Sequence, residues 1–268
     1  MVARSDDRKT HSYIPKLVEQ LEQRRIDRRE FLRTSTLLGL SATTAYGLAG
    51  KILGDSAIAP AMAQDAPKKG GIIKVSMRVP ELKNPHTFSW AYDSNVVRQV
   101  NGYLTRTGID NVTKPDLLES WQASDDLQTW TLNLRQGVTW SNGEPFVAEH
   151  VAWNLNRVLD ANVGSSVLGL MKGYMLKEDA DGNTSLWDAN AIEVVDDHTI
   201  RLNAQAAQLA VPEHLFHYPL LILYPEENGE WGAGSVGTGA FTCESVEVGK
   251  NAIMKAREGY YGDGPNVD

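Results

Sequence analysis

A mixed α/β fold is predicted, because two hydrophobic periods alternate along the chain. Residues Thr129–Leu134 have period two, with Trp130, Leu132 and Leu134 on one side and Thr129, Thr131 and Asn133 on the other. That is the pattern of a half-buried strand. Residues 147–159 have helical spacing, with Val151, Leu155, Val158 and Leu159 on one face and Trp153 beside them. Two hairpin patterns, at 191–202 and 241–256, make strands outnumber helices.

The first element is a leader. Asp27-Arg28-Arg29-Glu30-Phe31-Leu32-Arg33 pairs two arginines ahead of Phe-Leu and a further basic residue. A mild apolar segment, Thr34 to Leu53, follows, and Ala61-Met62-Ala63 offers a small-residue site for cleavage before Gln64. Charged front, apolar middle and small-residue end form an export signal. Arg28, Arg29, Phe31 and Leu32 resemble the twin-arginine class, whose cargo crosses already folded. Residues 1–63 are therefore expected to be a twin-arginine signal peptide, with Ala61 and Ala63 flanking the cut, and 64–268 the exported part. A membrane span needs about 20 predominantly apolar residues. Gly39, Gly47, Gly50 and many hydroxyls dilute this segment below that.

The elements of the exported part follow in order. Gly71 to Met77 has Ile73, Val75 and Met77 on one face and predicts a strand, which Pro80 breaks. A loop continues through Phe88, Trp90 and Tyr92. Asp93 then suits the cap of a helix with Val96, Val97, Val100 and Leu104 on its apolar side. After the strand at 129–134, Gly137 and Asn142-Gly143 mark turns before the helix at 147–159. Asp196-Asp197-His198 joins two strands, Leu220 to Tyr224 predicts a short apolar strand, and Gly232 to Gly239 predicts a loop before the last strand pair.

Charge narrows the partners. The leader holds 10 Lys+Arg and 7 Asp+Glu of the chain's 26 and 34, leaving 16 against 27 and a net charge of −11. An acidic body is a poor match for nucleic acid or anionic lipid, which require a basic face. The single cysteine, Cys243, allows no internal disulfide or thiolate-held cluster, and no cysteine follows Ala63 to carry a lipid anchor. The expected product is a periplasmic protein without a lipid anchor or resident cofactor.

Few residues suggest chemistry. His214 and His217, with Glu213 beside them, share a helical spacing that a metal site could use, but prolines at 212 and 219 bracket the segment. Glu144 and Glu149 sit where carboxylates favour a helix start, and no nucleophile accompanies them as an acid/base pair would need. Val236-Gly237-Thr238-Gly239 lacks the lysine of a phosphate loop and is expected to be a chain reversal.

Five ordered segments resemble a known family. These are Leu117-Leu118-Glu119-Ser120-Trp121; Trp130-Thr131-Leu132-Asn133-Leu134-Arg135-Gln136-Gly137-Val138-Thr139-Trp140; Asn142-Gly143-Glu144-Pro145-Phe146 with the helix it opens; Val236-Gly237-Thr238-Gly239-Ala240-Phe241; and Gly259-Tyr260-Tyr261-Gly262. Together they are similar to family 5 solute-binding proteins, the extracytoplasmic receptors of peptide- and nickel-type ABC importers. Leu118 and Ala240 depart from the family's usual Ala and Pro, which bears on packing and not on chemistry.

The resemblance implies a periplasmic-binding-protein-like type II fold of the two-lobe cluster C type, closing over its ligand by hinge motion. It also implies a chain about twice as long, so residues 64–268 are expected to be the N-terminal portion of lobe I with the second lobe missing. The implied function is capture of a small-molecule solute, a di- or oligopeptide or an opine-like derivative, for an ABC permease complex in the inner membrane. The twin-arginine export machinery would be the other partner, and no nucleic acid is involved. Trp90, Tyr92 and Phe88 are the ligand-binding candidates, because the loop after the first strand often faces the cleft in this family and aromatics suit varied ligand side chains. A nickel or metal-chelate receptor of the same family is the alternative ligand class. An exported hydrolase is the alternative from another class, and residues 64–268 contain no nucleophile or zinc motif that would serve it.

Overall fold

A computed structural model describes residues 10–54 and 69–268. The cleavage site at Ala61 and Ala63 lies outside the described residues. Three helices come first, α1 (Ile14–Glu22), α2 (Arg28–Leu37) and α3 (Ala42–Leu53). Asp27 caps α2 by accepting the Glu30 N–H at 2.7 Å, and Ser41 caps α3 by accepting that of Thr44. Their apolar sides close on one another through Leu17, Leu21, Phe31, Leu32, Ala45 and Ala49, and onto Val112 of the body. Among the described residues no helix is long and apolar enough to cross a membrane.

Residues 71–77 do not form the expected strand. Ile72, Ile73, Val75 and Met77 are exposed, and the segment is tied at its start to the last residues of the chain. There the Gly70 N–H donates to Asn266 O and that of Asp268 to Gly71 O. Alternation supplies a strand's faces but not the neighbour that makes a ladder.

The expected helix after Asp93 is a single turn, α4 (Ser94–Val97). The Asn101 N–H still donates to Val97 O, and the chain leaves the helical path at Gly102. The Asn101 side-chain amide donates to Ile222 O at 3.0 Å, and the Gly102 N–H to the Thr238 hydroxyl at 3.1 Å. The four apolar residues expected on that helix are buried all the same.

A small ladder, β1 (Thr105–Thr107) with β2 (Thr113–Pro115), leads to β3 (Leu118–Ala123) and β4 (Thr129–Leu134). The helices α5 (Ala148–Leu159) and α6 (Ser166–Met175) follow, then a second small ladder, β5 (Leu176–Glu178) with β6 (Thr184–Leu186). Next are β7 (Ile192–Asp196), β8 (Thr199–Asn203), the one-turn α7 (Val211–His214), and the closing hairpin β9 (Phe241–Glu247) with β10 (Asn251–Ala256).

The central sheet is antiparallel in the order β3-β4-β8-β7. Trp130 faces Leu202 across it, and Leu132 faces Ile200. Apolar residues of β4 and β8 pack with Val151, Leu155 and Val158 of α5, so the face that period two assigns to the interior is the one that is buried. The run 220–224 is buried but joins no ladder. The Ile222 N–H donates to Gly102 O and that of Leu223 to the Asn154 side chain, a buried crossing that a wholly apolar run does not distinguish from a strand.

Candidate functional site

The loop carrying Phe88, Trp90 and Tyr92 is fastened from below by a buried polar network. Pro85–Thr87 form a turn of 3-10 helix that brings His86 fully into the interior. His86 Nε2 lies 2.9 Å from Leu221 O, and Nδ1 lies 2.9 Å from the Arg157 guanidinium. A carbonyl only accepts and a guanidinium only donates, so Nε2 carries the proton and Nδ1 accepts. Burial holds this ring neutral, lowering its pKa to about 3, with the neighbouring Arg157 charge acting in the same direction. Arg157, on α5, also donates to the Asn84 side chain at 3.2 Å and lies over the Trp153 ring.

The far side of the loop is held as firmly. The Ser94 hydroxyl donates to Ala91 O at 2.7 Å, and Arg98 donates to that hydroxyl at 3.0 Å. The Tyr218 hydroxyl donates to Ser89 O, and the Tyr103 hydroxyl donates to Tyr218 O, both at 3.0 Å. The N–H groups of Asp93 and Asn95 donate to Trp90 O and Tyr92 O.

Three candidate residues therefore have two situations. Phe88 is 6% exposed and packs in a core with Val79, Leu82, Val97 and Leu221. Trp90 and Tyr92 are 68% and 76% exposed. The structure brings the three together on one loop and turns the last two to solvent. His86 and Arg157, which hold this arrangement, were not singled out from the sequence. They stand 71 residues apart in the chain, and neither has a local motif.

The other candidates are engaged elsewhere. His214 Nδ1 pairs with the Tyr174 hydroxyl at 2.8 Å, and His217 Nε2 lies 3.4 Å from the Ser166 hydroxyl. Burial lowers the pKa of both rings, while Glu213 is paired with Arg33. Among the described residues no three His, Cys, Asp or Glu side chains form a group able to hold a metal ion. Glu144 accepts from the Tyr224 hydroxyl, and Glu149 is exposed on α5. The 236–239 segment is a packing seam. The Gly239 N–H donates to Val100 O at 2.7 Å, and a Cβ there would stand 2.7 Å from that same oxygen.

Away from the aromatic loop, a cleft of about 450 Å3 is lined by Arg106, Lys114, Asp116, Arg135, Tyr260 and Tyr261, among others. Its charges are largely used internally. Arg106 pairs with Asp116 at 3.1 Å, the Tyr261 hydroxyl donates to Asp116 at 3.1 Å, and Arg135 lies over the Tyr261 ring.

Comparison with known proteins places this architecture. The family profile for bacterial extracellular solute-binding proteins, family 5 Middle, matches residues 112–268. The dipeptide-binding protein DppE of Bacillus subtilis is 27% identical over 181 residues, covering 65% of this chain and 32% of that protein. The nickel-binding periplasmic protein of Escherichia coli is 26% identical over 197 residues, covering 69% and 33% respectively. The crystal structure of the ABC transporter substrate-binding protein CtaP of Listeria monocytogenes superposes with a TM-score of 0.60 at 22% identity. That superposition covers 75% of this chain and 40% of CtaP. The chain spans about a third of the length of the curated relatives it matches. It belongs to the family 5 extracellular solute-binding proteins.

Proposed function

We propose that this chain belongs to a periplasmic solute receptor, the substrate-binding component of an ABC importer. It captures a di- or oligopeptide, or a related opine-like solute, and passes it to a membrane permease without covalent chemistry. The observation that carries this reading is the loop at 84–93. Its backbone is tied on both sides, yet it presents Trp90 and Tyr92 to solvent. A backbone held in place before the ligand arrives leaves only the two rings to be ordered when it binds, and their apolar area is available to varied ligand side chains. Phe88 acts here as the anchor beneath the two contacting rings. The dipeptide-binding and nickel-binding relatives give the two ligand classes to be told apart.

Residues 1–63 act in this reading as a twin-arginine leader cleaved after Ala63, delivering the body to the periplasm folded and without a lipid anchor. The test is native mass spectrometry of the protein isolated gently from a periplasmic extract. A peptide-sized adduct is the expected result, and a metal or chelate adduct would move the assignment to the nickel-type alternative. Absence of any adduct together with turnover of added peptides would contradict the receptor reading and favour a hydrolase.

A further inference from the structure

The leader is docked on the body, and the docking buries the apolar pair of its motif, Phe31 and Leu32, while Arg28 is half-buried and Arg29 stays exposed. Phe31 is 0% exposed, and Leu32 is buried beside it in a cluster completed by Val112, with Leu127 and Leu209 packed against it. Arg33, next to the motif, donates to both carboxylate oxygens of Glu213 at 2.7 and 2.5 Å. This fork geometry fixes orientation as well as contact. On the other flank the Tyr46 hydroxyl donates to Asp110 at 2.8 Å.

Backbone contacts lock the same interface. The Trp121 indole N–H donates to Leu37 O at 3.0 Å. Gly39, at φ 91°, approaches β3 so closely that a Cβ would stand 2.7 Å from Trp121 O. Only glycine meets both demands there, the left-handed backbone and the missing side chain. The body side of the contact is apolar and acidic, through Val112, Leu127, Leu209, Asp110 and Glu213, and it complements a leader that carries more Lys+Arg than Asp+Glu.

We propose that residues 11–53 form an intramolecular latch, seated on the face built from residues 110–127 and 209–213, that withholds Phe31 and Leu32, the apolar half of the Arg28-Arg29-Glu30-Phe31-Leu32 motif, from its export receptor until the latch opens. An apolar pair buried against the body is not available to a second protein, so recognition has to follow undocking. The fully folded body forms this face. The two states then differ in which partner holds Phe31 and Leu32, the body or the receptor. The proposal rests on reading residues 1–63 as a twin-arginine leader.

The test changes the body and leaves the motif intact. Glu213→Arg and, independently, Leu209→Asp are introduced into the full chain. Amide exchange is followed at residues 30–37, and conversion of precursor to the shorter exported form is followed by pulse–chase. Both variants should raise exchange in 30–37 by roughly tenfold or more while leaving 129–134 protected, and both should shorten the half-time of conversion by about twofold or more. Fast exchange of 30–37 in the unmodified chain, or opened variants with an unchanged half-time, would overturn the latch. Arg28→Lys with Arg29→Lys tests the leader reading separately. Its failure to slow conversion would remove the export role, whereas a block of conversion with no effect of the body variants would refute the latch alone.

Discussion

Two aromatic-bearing segments near the N-terminus treat their side chains in opposite ways. Residues 28–38 turn Phe31 and Leu32 inward, and the interface is completed by an ion pair and by glycine-permitted backbone contact. Residues 84–93 spend their polar contacts on the backbone and on the buried His86, leaving Trp90 and Tyr92 exposed. In the first segment side-chain burial holds the chain in place. In the second, backbone and histidine contacts hold the chain, and the rings are left over. The exposed pair on a well-fastened loop is the contact surface of the proposed receptor, and the buried pair is the contact surface of the proposed latch.

The largest expected effect is on the docked segment. Phe31→Ala removes a fully buried ring, a change that costs about 3–5 kcal/mol where the site cannot collapse. Amide exchange should rise throughout 14–53 and stay unchanged at 129–134 and 148–159. A uniform rise over the whole chain would show that the two regions form one cooperative unit.

The next effect concerns acid and the fastened loop. The folded-state pKa of His86 is depressed from 6.5 to about 3, so between those values the unfolded chain binds the proton and the folded chain does not. The stability from keeping the ring neutral is complete above 6.5 and is lost progressively as pH falls toward 3. His86→Gln keeps one donor for Leu221 O and one acceptor for Arg157. Denaturant melts across this window should show a shallower acid loss in the variant than in the parent. An equal slope would mean that His86 does not carry the acid response.

A smaller effect separates the loop's two kinds of residue. Trp90→Ala should change stability by no more than about 0.5 kcal/mol, since the ring is exposed and no backbone contact depends on it. Phe88→Ala should cost about 3 kcal/mol or more, because that ring is core. Thermal melts of the two variants side by side would show the difference, and similar losses would contradict the assignment of Phe88 as anchor and Trp90 as contact.

Much of the fold was legible where a local pattern and its tertiary use coincide. Thr129–Leu134 alternates because one face of β4 is core, and the helix at 148–159 shows its stripe because only one side of α5 packs on the sheet. The hairpins at 192–203 and 241–256 were legible for the same reason. Patterns misled where pairing depends on distant partners, as at 71–77 and 220–224. The helix at 166–175 went unread because Gly169 and Gly173 dilute its stripe. In the candidate site, Trp90 and Tyr92 were named from the resemblance, whereas His86 and Arg157 were invisible because their partnership is made by the fold and not by spacing. The latch was equally hidden, since its contacts join α2 to residues about 80 to 180 positions away.

The binding role of the 84–93 loop is tested by the affinity of the full protein for the peptide recovered with it, measured by titration calorimetry for the parent and for Trp90→Ala. A loss of about tenfold in affinity is expected, as for an aromatic contact worth more than 1 kcal/mol, with the melting temperature unchanged. Unchanged affinity in a variant that melts like the parent would show that the exposed ring does not meet the ligand, and would contradict the claim that this loop is the binding surface.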